Sequence, residues 1–369
     1  MSNTILDAIW RFPVKGFSGQ KLRSTDLRAG AGIPHDRRFA VTDGTLDTGS
    51  WMPARSFFIN AYRDGLPKFE IVFDDAVVCL TNTDGARVEF RPDDSDSLEA
   101  ANKKIAELME PVGFDHALPA PKIVERKGVV ANWDYPDTPI SIINVASVNE
   151  ISATLSADLE PRRFRGNLVI SGIPAWQEFS WMGKRIRIGE AELEIHRPID
   201  RCPTPGVNPD TGERDVEVTK GIQEHFGHVF CGMYANVVKA GQIDEGSTIE
   251  VIGDAEMSWQ AAADPENASD YRLWARTCEI VEYEICKAGT NIVLQSATPW
   301  PLPNARPGQR LRIHLGAGQW AIEYIVAISP EKFHLTIEDS QTEDPVTMRL
   351  RNGMKLGDLL IVSGPFGKG

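Results

Sequence analysis

The chain has 369 residues, long enough for two or three domains of typical size. Its 39 Lys and Arg residues against 52 Asp and Glu residues give a formal charge of −13, in an otherwise ordinary globular composition. This charge disfavours binding to nucleic acid or to an anionic membrane. Because no apolar run reaches the roughly 18 residues needed to cross a bilayer and the start lacks a secretory signal pattern, we expect a cytoplasmic protein.

The first two thirds of the sequence predict a mainly β protein of the α+β class. Short apolar segments are separated by turns rich in the 31 Gly and 24 Pro residues. A meander of three strands is predicted over 69–73, 76–80 and 87–90. The helix signals are a capping box at Asp96 and Glu99, a second at Ser147 and Glu150, and helical apolar spacing over 218–226.

The last third predicts a small antiparallel β-barrel without intervening helices. It follows residues 261–269, which are small and polar as linkers are. The expected strands are 277–285, 309–315, 322–327, 333–337 and 359–362. Together with a softer boundary near 118–124, this pattern predicts three domains, over 1–120, 121–255 and 272–369.

Cys202 is the cysteine whose surroundings point to chemistry. Pro203 and Pro205 exclude a helix and stiffen its loop, and Arg197 and Arg201 are cations that favour a thiolate. A thiolate on a rigid, electropositive loop suits a nucleophile or a ligand of a soft metal. The alternative left open by the local sequence is an unreactive thiol beside a hairpin turn.

The remaining thiols and two histidines are interpreted as structural. Cys79, Cys231, Cys278 and Cys286 lie in or beside strand patterns, where a free cysteine behaves as a small hydrophobe. None forms a Cys-x-x-Cys pair, so neither a disulfide framework nor a structural zinc site is expected. His225 and His228 have no third ligand at a recognisable spacing and are interpreted as the end of a helix.

Three segments place cations near predicted strand ends. They contain Lys15, Arg37 and Arg165, with Asn167 two residues beyond the last of them. In an acidic chain these cations could line a local pocket that binds phosphate through charge-assisted hydrogen bonds. Their spacing in the sequence does not determine whether they converge.

Taken in order, these segments resemble the MOSC family, in its longer branch with an added N-terminal β-barrel that includes amidoxime-reducing components. The resemblance covers roughly residues 4–252. It rests on five motifs in the family's order: Phe-Pro-Val-Lys-Gly (12–16), Asp-Arg-Arg-Phe-Ala-Val (36–41), Phe-Arg-Gly-Asn-Leu-Val-Ile-Ser-Gly (164–172), Ile-Gly-Glu-Ala-Glu-Leu (188–193) and the run 201–212 around Cys202.

The resemblance implies a molybdenum cofactor, a pterin whose dithiolene holds the metal and whose phosphate is anionic. Cys202 would supply the protein thiolate to molybdenum and act as the catalytic residue. The positions that match cofactor contacts of the family are Lys15, Arg37, Thr138, Arg165, Asn167, Asp200 and Tyr234. The sequence departs from the family pattern at Gly16, Pro139 and Asp200, the last standing where a small hydroxyl residue is usual.

Residues 272–369 resemble the flavin-binding barrel of ferredoxin-reductase-type enzymes. Residues 306–309 and 357–367 carry the likeness, which implies FAD or FMN as a possible second cofactor. Of the family's Arg-x-Tyr-Ser/Thr motif only Tyr324 is present, next to Glu323. The alternative is therefore a barrel that is unliganded or that docks a partner.

These resemblances lead to a molybdenum-dependent oxidoreductase that reduces N-hydroxylated small substrates by oxygen-atom transfer. Its electrons would come from an external donor protein, because no iron–sulfur cysteine set is present. One alternative is a cofactor carrier or sulfurtransferase with a persulfide on Cys202. Another is a flavin-linked electron-transfer module whose MOSC half is inactive.

Overall fold

The computed structural model describes thirteen segments of the chain: 4–44, 57–74, 76–117, 119–126, 131–134, 139–226, 228–255, 276–286, 289–296, 306–316, 319–329, 332–338 and 345–366. This part of the chain is mostly β with few helices, which confirms the predicted fold class. None of its helices is long and apolar enough to span a membrane.

The described strands are, in chain order, β1 (Ile5–Arg11), β2 (Gln20–Leu22), β3 (Ser24–Leu27), β4 (Phe39–Thr42), β5 (Glu70–Phe73), β6 (Val78–Thr81), β7 (Arg87–Phe90), β8 (Lys122–Glu125), β9 (Ile140–Asn144), β10 (Leu168–Ser171), β11 (Lys184–Ile188), β12 (Ala191–Asp200), β13 (Phe230–Lys239), β14 (Gly241–Asp244), β15 (Ile249–Asp254), β16 (Arg276–Cys286), β17 (Gly289–Ser296), β18 (Arg310–Gly316), β19 (Gln319–Ser329), β20 (Lys332–Glu338) and β21 (Leu359–Phe366). The α-helices are α1 (Ser95–Asn102), α2 (Ile105–Met109), α3 (Val145–Leu155), α4 (Val218–Phe226) and α5 (Pro345–Asn352). Short 3-10 helices occupy Leu66–Lys68, Glu110–Val112, Pro161–Phe164, Gln177–Trp181 and Thr204–Gly206.

An eight-stranded sheet organises the middle of the chain, in the order β15-β11-β12-β13-β9-β10-β1-β2. All five residues of β9 are buried, and β9 lies between its antiparallel neighbour β13 and its parallel neighbour β10. A strand that is buried on both faces reads as a nearly continuous apolar run. In β9 this run is Ile-Ser-Ile-Ile, with Ser141 as its one polar residue. The largest core cluster lies against this sheet and includes residues of α3 and α4.

The predicted meander is confirmed as the sheet β5-β6-β7, although its middle strand begins at Val78 rather than at residue 76. Beside it, β4 pairs with β8. A second core is rich in aromatic residues, with the ring of Phe17 edge-on to Phe69 at 5.2 Å and Phe39 edge-on to Phe90 at 4.8 Å. The segments that carry Lys15 and Arg37 contribute Val14, Phe17 and Phe39 to this core.

The predicted helix starts are wrong by two or three residues. Asp94 caps α1 by accepting a hydrogen bond from the backbone nitrogen of Ser97, where the sequence predicted Asp96. Asn144 caps α3 through the nitrogen of Ala146, where the sequence predicted Ser147. Apolar spacing defines the buried face of a helix but does not identify which of several nearby polar residues turns back to cap it.

The C-terminal strands close into a barrel in the order β16-β17-β20-β19-β18-β21, which confirms the predicted barrel. Two of its elements differ from the prediction. The strand β17 was not predicted, and α5 stands between β20 and β21 where no helix was expected. The predicted linker at 261–269 lies outside the described residues.

The three predicted domains remain predictions. Strand pairing adds that β1, from the first predicted domain, forms antiparallel hydrogen bonds with β10 of the second. The short strand β3 likewise pairs with β14. Residues near the N-terminus therefore complete the sheet that carries the candidate site.

Candidate functional site

The backbone around Cys202 is held on both sides. Cys202 follows the end of β12 and precedes the 3-10 helix Thr204–Gly206. Arg201 donates from Nε to the carbonyl oxygen of Cys231 at 2.8 Å and from Nη1 to that of Phe164 at 2.7 Å. The carbonyl oxygen of Cys202 accepts from Oγ1 of Thr219 at 2.7 Å. The loop is thus rigid, as its prolines predict.

The Cys202 thiol is exposed, and its Sγ lies 3.2 Å from Oγ1 of Thr204. Cys79, Cys231 and Cys278 are buried, in agreement with a structural role, and burial raises the pKa of Cys231 to about 12. Cys286 is exposed, unlike these three cysteines, and its predicted structural role stays a prediction. It nevertheless lies at the end of β16, in the C-terminal barrel.

A cavity of about 320 Å³ opens beside this thiol. It brings together all of the predicted site residues that the structure describes: Lys15, Arg37, Arg165, Asn167, Asp200, Cys202 and Tyr234. Thr138 lies outside the described residues, so its predicted role is not tested. The roles of the other seven toward a cofactor also stay predictions, but their convergence is a property of the fold.

Arg37 and Arg165 both adopt the left-handed backbone conformation, with φ of 50° and 53°. Such a conformation is costly for a residue with a Cβ and persists where surrounding contacts enforce it. Here Nη2 of Arg37 donates to the carbonyl oxygen of Arg165 at 2.9 Å. Both guanidinium groups also lie over the ring of Phe12, at 4.9 and 4.4 Å from its centroid. The two cations are held next to each other.

The charge of Arg37 is compensated within the protein, whereas that of Arg165 is compensated only in part. Burial opposes the charged form of Arg37, but Asp36 and Asp134 outweigh it and hold the pKa of Arg37 above its ordinary value. Burial and the neighbouring charge of Arg37 lower the pKa of Arg165 to about 9. Nη1 of Arg165 donates to the carbonyl oxygen of Phe17 at 2.6 Å. Its Nη2 is buried and makes no hydrogen bond within the described part of the chain.

Lys15 is buried and is paired with a carboxylate. Its Nζ donates to Oδ1 of Asp134 at 2.7 Å and to the carbonyl oxygen of Asn132 at 2.9 Å. The Asp134 side chain is more than half exposed, and although partial desolvation works against its charge, Lys15, Arg37 and Arg165 lower the pKa of that carboxyl group to about 2. Asp134 therefore stays ionised and occupies the position where an anion would meet Lys15.

Asn167 is fully buried and links the two walls that carry the arginines. Its Oδ1 accepts from Oγ of Ser141 at 2.9 Å and, more weakly, from Nη1 of Arg37 at 3.4 Å. Its Nδ2 donates to the carbonyl oxygen of Trp10 at 3.2 Å. The side chain is thus largely engaged with the protein, and in this state it orients Arg37.

Asp200 and Tyr234 lie on the neighbouring strands β12 and β13. Asp200 is exposed at the end of β12, two residues before Cys202. Tyr234 is buried opposite Arg197, whose guanidinium carbon lies 5.5 Å from the centre of the tyrosine ring. Asp200 thus adds a carboxylate to the wall of the cavity, and Tyr234 adds a ring.

Sequence reasoning missed several residues that shape the cavity, above all Asp36, Asp134 and Ser141. Asp36 had a usable signal, because it precedes Arg37 directly and both belong to one motif. Asp134 and Ser141 had none, since each is an isolated polar residue far in sequence from Lys15 and Asn167.

His228 packs among aromatic rings, with its ring centre 5.3 Å from that of Trp176. No group of three His, Cys, Asp or Glu side chains suited to a metal ion occurs among the described residues.

The arrangement fits an anionic ligand that carries a soft metal. Arg165 offers a positive charge that its neighbours compensate only in part, together with a buried donor that is unused within the described residues, and an anion would satisfy both. The exposed thiol of Cys202 opens into the same cavity and supplies a soft ligand. The residues present are therefore consistent with a phosphorylated cofactor whose metal accepts one protein sulfur.

Comparison with known proteins gives a family for this region. Residues 129–250 match the model of the MOSC domain. Mitochondrial amidoxime-reducing component 1 of Danio rerio is 38% identical over 127 residues, and that of Homo sapiens is 37% identical over 132 residues. Molybdenum cofactor sulfurase 2 of Culex quinquefasciatus is 23% identical over 299 residues, which cover 68% of this chain.

The aligned parts cover only 38%, 39% and 37% of those three relatives, in the same order. Among solved structures, the YUAD protein from Bacillus subtilis is similar with a TM-score of 0.33 and 16% identity; the match covers 69% of this chain and 99% of that protein. Phthalate dioxygenase reductase matches with a TM-score of 0.24 and 15% identity, over 29% of this chain and 32% of the reductase.

Proposed function

Residues 129–250 form a MOSC domain homologous to amidoxime-reducing components and molybdenum cofactor sulfurases, and from this premise we propose that the chain is a molybdenum-dependent oxidoreductase. Its substrates would be small N-hydroxylated compounds, such as amidoximes. The relatives named for amidoxime reduction support this choice of substrate.

One observation carries the proposal. Lys15, Arg37, Arg165 and Cys202 come from distant parts of the sequence and line a single cavity. Within it, an exposed thiol accompanies a buried guanidinium whose Nη2 has no partner in the described segments. An unused buried donor is costly unless a ligand satisfies it. A cavity that places such a donor near an exposed thiol therefore favours a bound anionic ligand over a purely structural role for Cys202.

The residues divide into two groups by what they would hold. Arg165, with Arg37 and Lys15 beside it, would bind the phosphate and pterin of the cofactor through charge-assisted hydrogen bonds. Cys202 would bind the metal through its sulfur. The cofactor would supply two-electron oxygen-atom transfer, which is chemistry that protein side chains lack.

The rest of the chain would orient the reactants and supply protons. Reduction of an N–OH group to N–H consumes two electrons and two protons and releases one water molecule. Asp200, exposed in the wall of the cavity, is a carboxylate within reach of solvent and suits proton exchange with the substrate. The electrons would come from an external donor protein.

The C-terminal barrel would serve this electron supply, either by binding FAD or FMN or by docking the donor. Tyr324, the remaining residue of the flavin motif, is more than half exposed on β19. It is therefore accessible to a flavin ring or to a partner. A visible absorption spectrum of the molybdenum-free protein would distinguish flavin binding from donor docking, since only a bound flavin would absorb visible light in that sample.

The two exposed cysteines provide a matched test. We expect Cys202→Ser to fold normally, to retain less molybdenum than wild type and to lose reduction of benzamidoxime with a chemical electron donor. Cys286→Ser, which removes the exposed thiol of the barrel, should retain both. Full molybdenum content and turnover in Cys202→Ser would contradict the proposal. So would a wild-type protein that carries a labile sulfur on Cys202 without turnover, as expected of a sulfurtransferase.

A further inference from the structure

Besides Arg165, two side chains in the wall of the cavity have buried polar atoms for which the described segments provide no hydrogen-bond partner. They are Oδ1 of Asn60 and Nε1 of Trp133. Each residue is only 4% exposed. One atom is an acceptor and the other a donor. Because buried polar groups are nearly always hydrogen-bonded in folded proteins, both are suited to a ligand in the cavity.

Asn60 is fixed in place relative to Cys202 by one guanidinium group. Nη2 of Arg214 donates to the backbone carbonyl of Asn60 at 2.8 Å and to Oδ1 of Asp64 at 2.9 Å. Nη1 of the same residue donates to the carbonyl of Pro203 at 2.7 Å. Arg214 therefore ties the backbone of Asn60, which lines the cavity, to the loop of Cys202.

We propose that Asn60 and Trp133 are ligand-binding residues that recognise a nitrogenous group carrying both an N–H donor and a lone-pair acceptor. Oδ1 of Asn60 accepts the N–H, and Nε1 of Trp133 donates to the lone pair. This chemistry occurs in the pterin ring of the cofactor and in an amidoxime, so the inference rests on the proposed function. It adds a recognition element from outside the MOSC match, since Asn60 precedes residue 129.

Three substitutions test the pair. Asn60→Leu removes the acceptor at similar size, Asn60→Asp keeps an acceptor oxygen, and Trp133→Phe removes only the N–H and part of the ring. Trp176→Phe is the matched control, because Nε1 of Trp176 is also buried and without a partner among the described residues, but the residue lies in the hydrophobic core. Circular dichroism melting verifies that each variant folds.

Two measurements distinguish the source of the recognised group. The pterin content per chain reports cofactor binding, and calorimetry with benzamidoxime on the cofactor-loaded protein reports substrate binding. If the pterin is recognised, Asn60→Leu and Trp133→Phe lower its content. If the substrate is recognised, pterin content is unchanged and the Kd for benzamidoxime rises about tenfold, as expected for one lost hydrogen bond. Asn60→Asp should bind benzamidoxime within about threefold of wild type, and Trp176→Phe should match wild type in both measurements.

The inference is overturned if Asn60→Leu and Trp133→Phe both equal wild type in pterin content and in benzamidoxime affinity, as expected if the two atoms bind only water. It is also overturned if Trp176→Phe causes the same losses. A wild-type protein that contains no pterin and binds no benzamidoxime contradicts the proposed function itself. The two failures therefore give different results.

Discussion

Arg37 donates a hydrogen bond of 2.9 Å from Nη2 to the backbone carbonyl of Arg165, which brings two cations together at one wall of the cavity. Asp36 and Asp134 favour the charge of Arg37, and they only partly offset the cost of charging Arg165. The pair thus stores a local excess of positive charge in a chain whose net charge is −13. A bound anion would relieve that excess.

Arg165→Gln should weaken cofactor binding and relieve a charge that destabilises the cofactor-free protein. Loss of charge-assisted hydrogen bonds is expected to reduce cofactor content at least tenfold. Because burial and the charge of Arg37 lower the pKa of Arg165, the positive charge of Arg165 costs stability in the cofactor-free protein. Urea unfolding near pH 7 should therefore show that the cofactor-free variant is at least as stable as the cofactor-free wild type. Arg162→Gln, which breaks a pair with Asp210, should retain the cofactor; equal cofactor content in Arg165→Gln and wild type would contradict the assignment.

Asp134→Asn should strengthen anion binding by releasing Lys15. The carboxylate competes with any anion for Nζ of Lys15, which it contacts at 2.7 Å. We expect inorganic pyrophosphate to bind the cofactor-free variant severalfold more tightly, measured by calorimetry. Since Asp134 is more than half exposed, the loss of unfolding free energy should stay below about 1 kcal/mol. The control Asp254→Asn breaks a similar ion pair with Lys184, outside the residues that line the cavity, and should leave pyrophosphate binding unchanged. Weaker pyrophosphate binding in Asp134→Asn than in wild type would show that Lys15 does not contact the anion.

Glu178→Gln should flatten the pH dependence of stability near neutrality. Glu178 is fully buried, accepting from Nδ2 of Asn144 at 2.8 Å and from Oγ of Ser147 at 2.7 Å, and burial raises its pKa from 4.5 to about 7 despite these bonds. A carboxyl group with a raised pKa favours folding below its unfolded pKa, and this contribution is lost as pH rises through the folded value. The free energy of unfolding of wild type should therefore fall, relative to the variant, as the pH rises from about 4.5 to about 7. Parallel unfolding free energies of the two proteins across that range would contradict this prediction.

Arg214→Met should destabilise the protein more than Asp64→Ala does. Arg214 satisfies the carbonyls of Pro203 and Asn60 in addition to its ion pair with Asp64. Leaving the carbonyl of the buried residue Asn60 unsatisfied is expected to cost about 1–3 kcal/mol, whereas the half-exposed pair with Asp64 is expected to contribute less than about 1 kcal/mol. Chemical unfolding of both single variants and the double variant measures the difference. Equal effects would mean that Arg214 acts only through Asp64.

The sequence predicted the parts of the site whose chemistry is visible in a short motif. Cys202 has prolines and arginines beside it, and Arg165 lies in a motif with Asn167, so each could be singled out before the fold was known. Asn60 and Asp134 could not, because an isolated Asn or Asp in a loop has no periodicity or spacing to distinguish it. Their positions depend on long-range contacts, such as that between Arg214 and Asn60, which are separated by 154 residues in the chain. The helix starts were mispredicted for a related reason. Asp94 and Asp96 are the same residue type in the same short segment, and only the folded backbone shows that Asp94 caps the helix.

The most direct test of this account counts the sulfur atoms bound to molybdenum by X-ray absorption spectroscopy. If Cys202 holds the metal, the wild-type protein should show the two dithiolene sulfurs plus one from the protein, and Cys202→Ser reconstituted with cofactor should show one sulfur fewer. Cys286→Ser should give the wild-type number. An identical sulfur count in wild type and Cys202→Ser would contradict the central claim that this exposed thiol is the ligand of the metal.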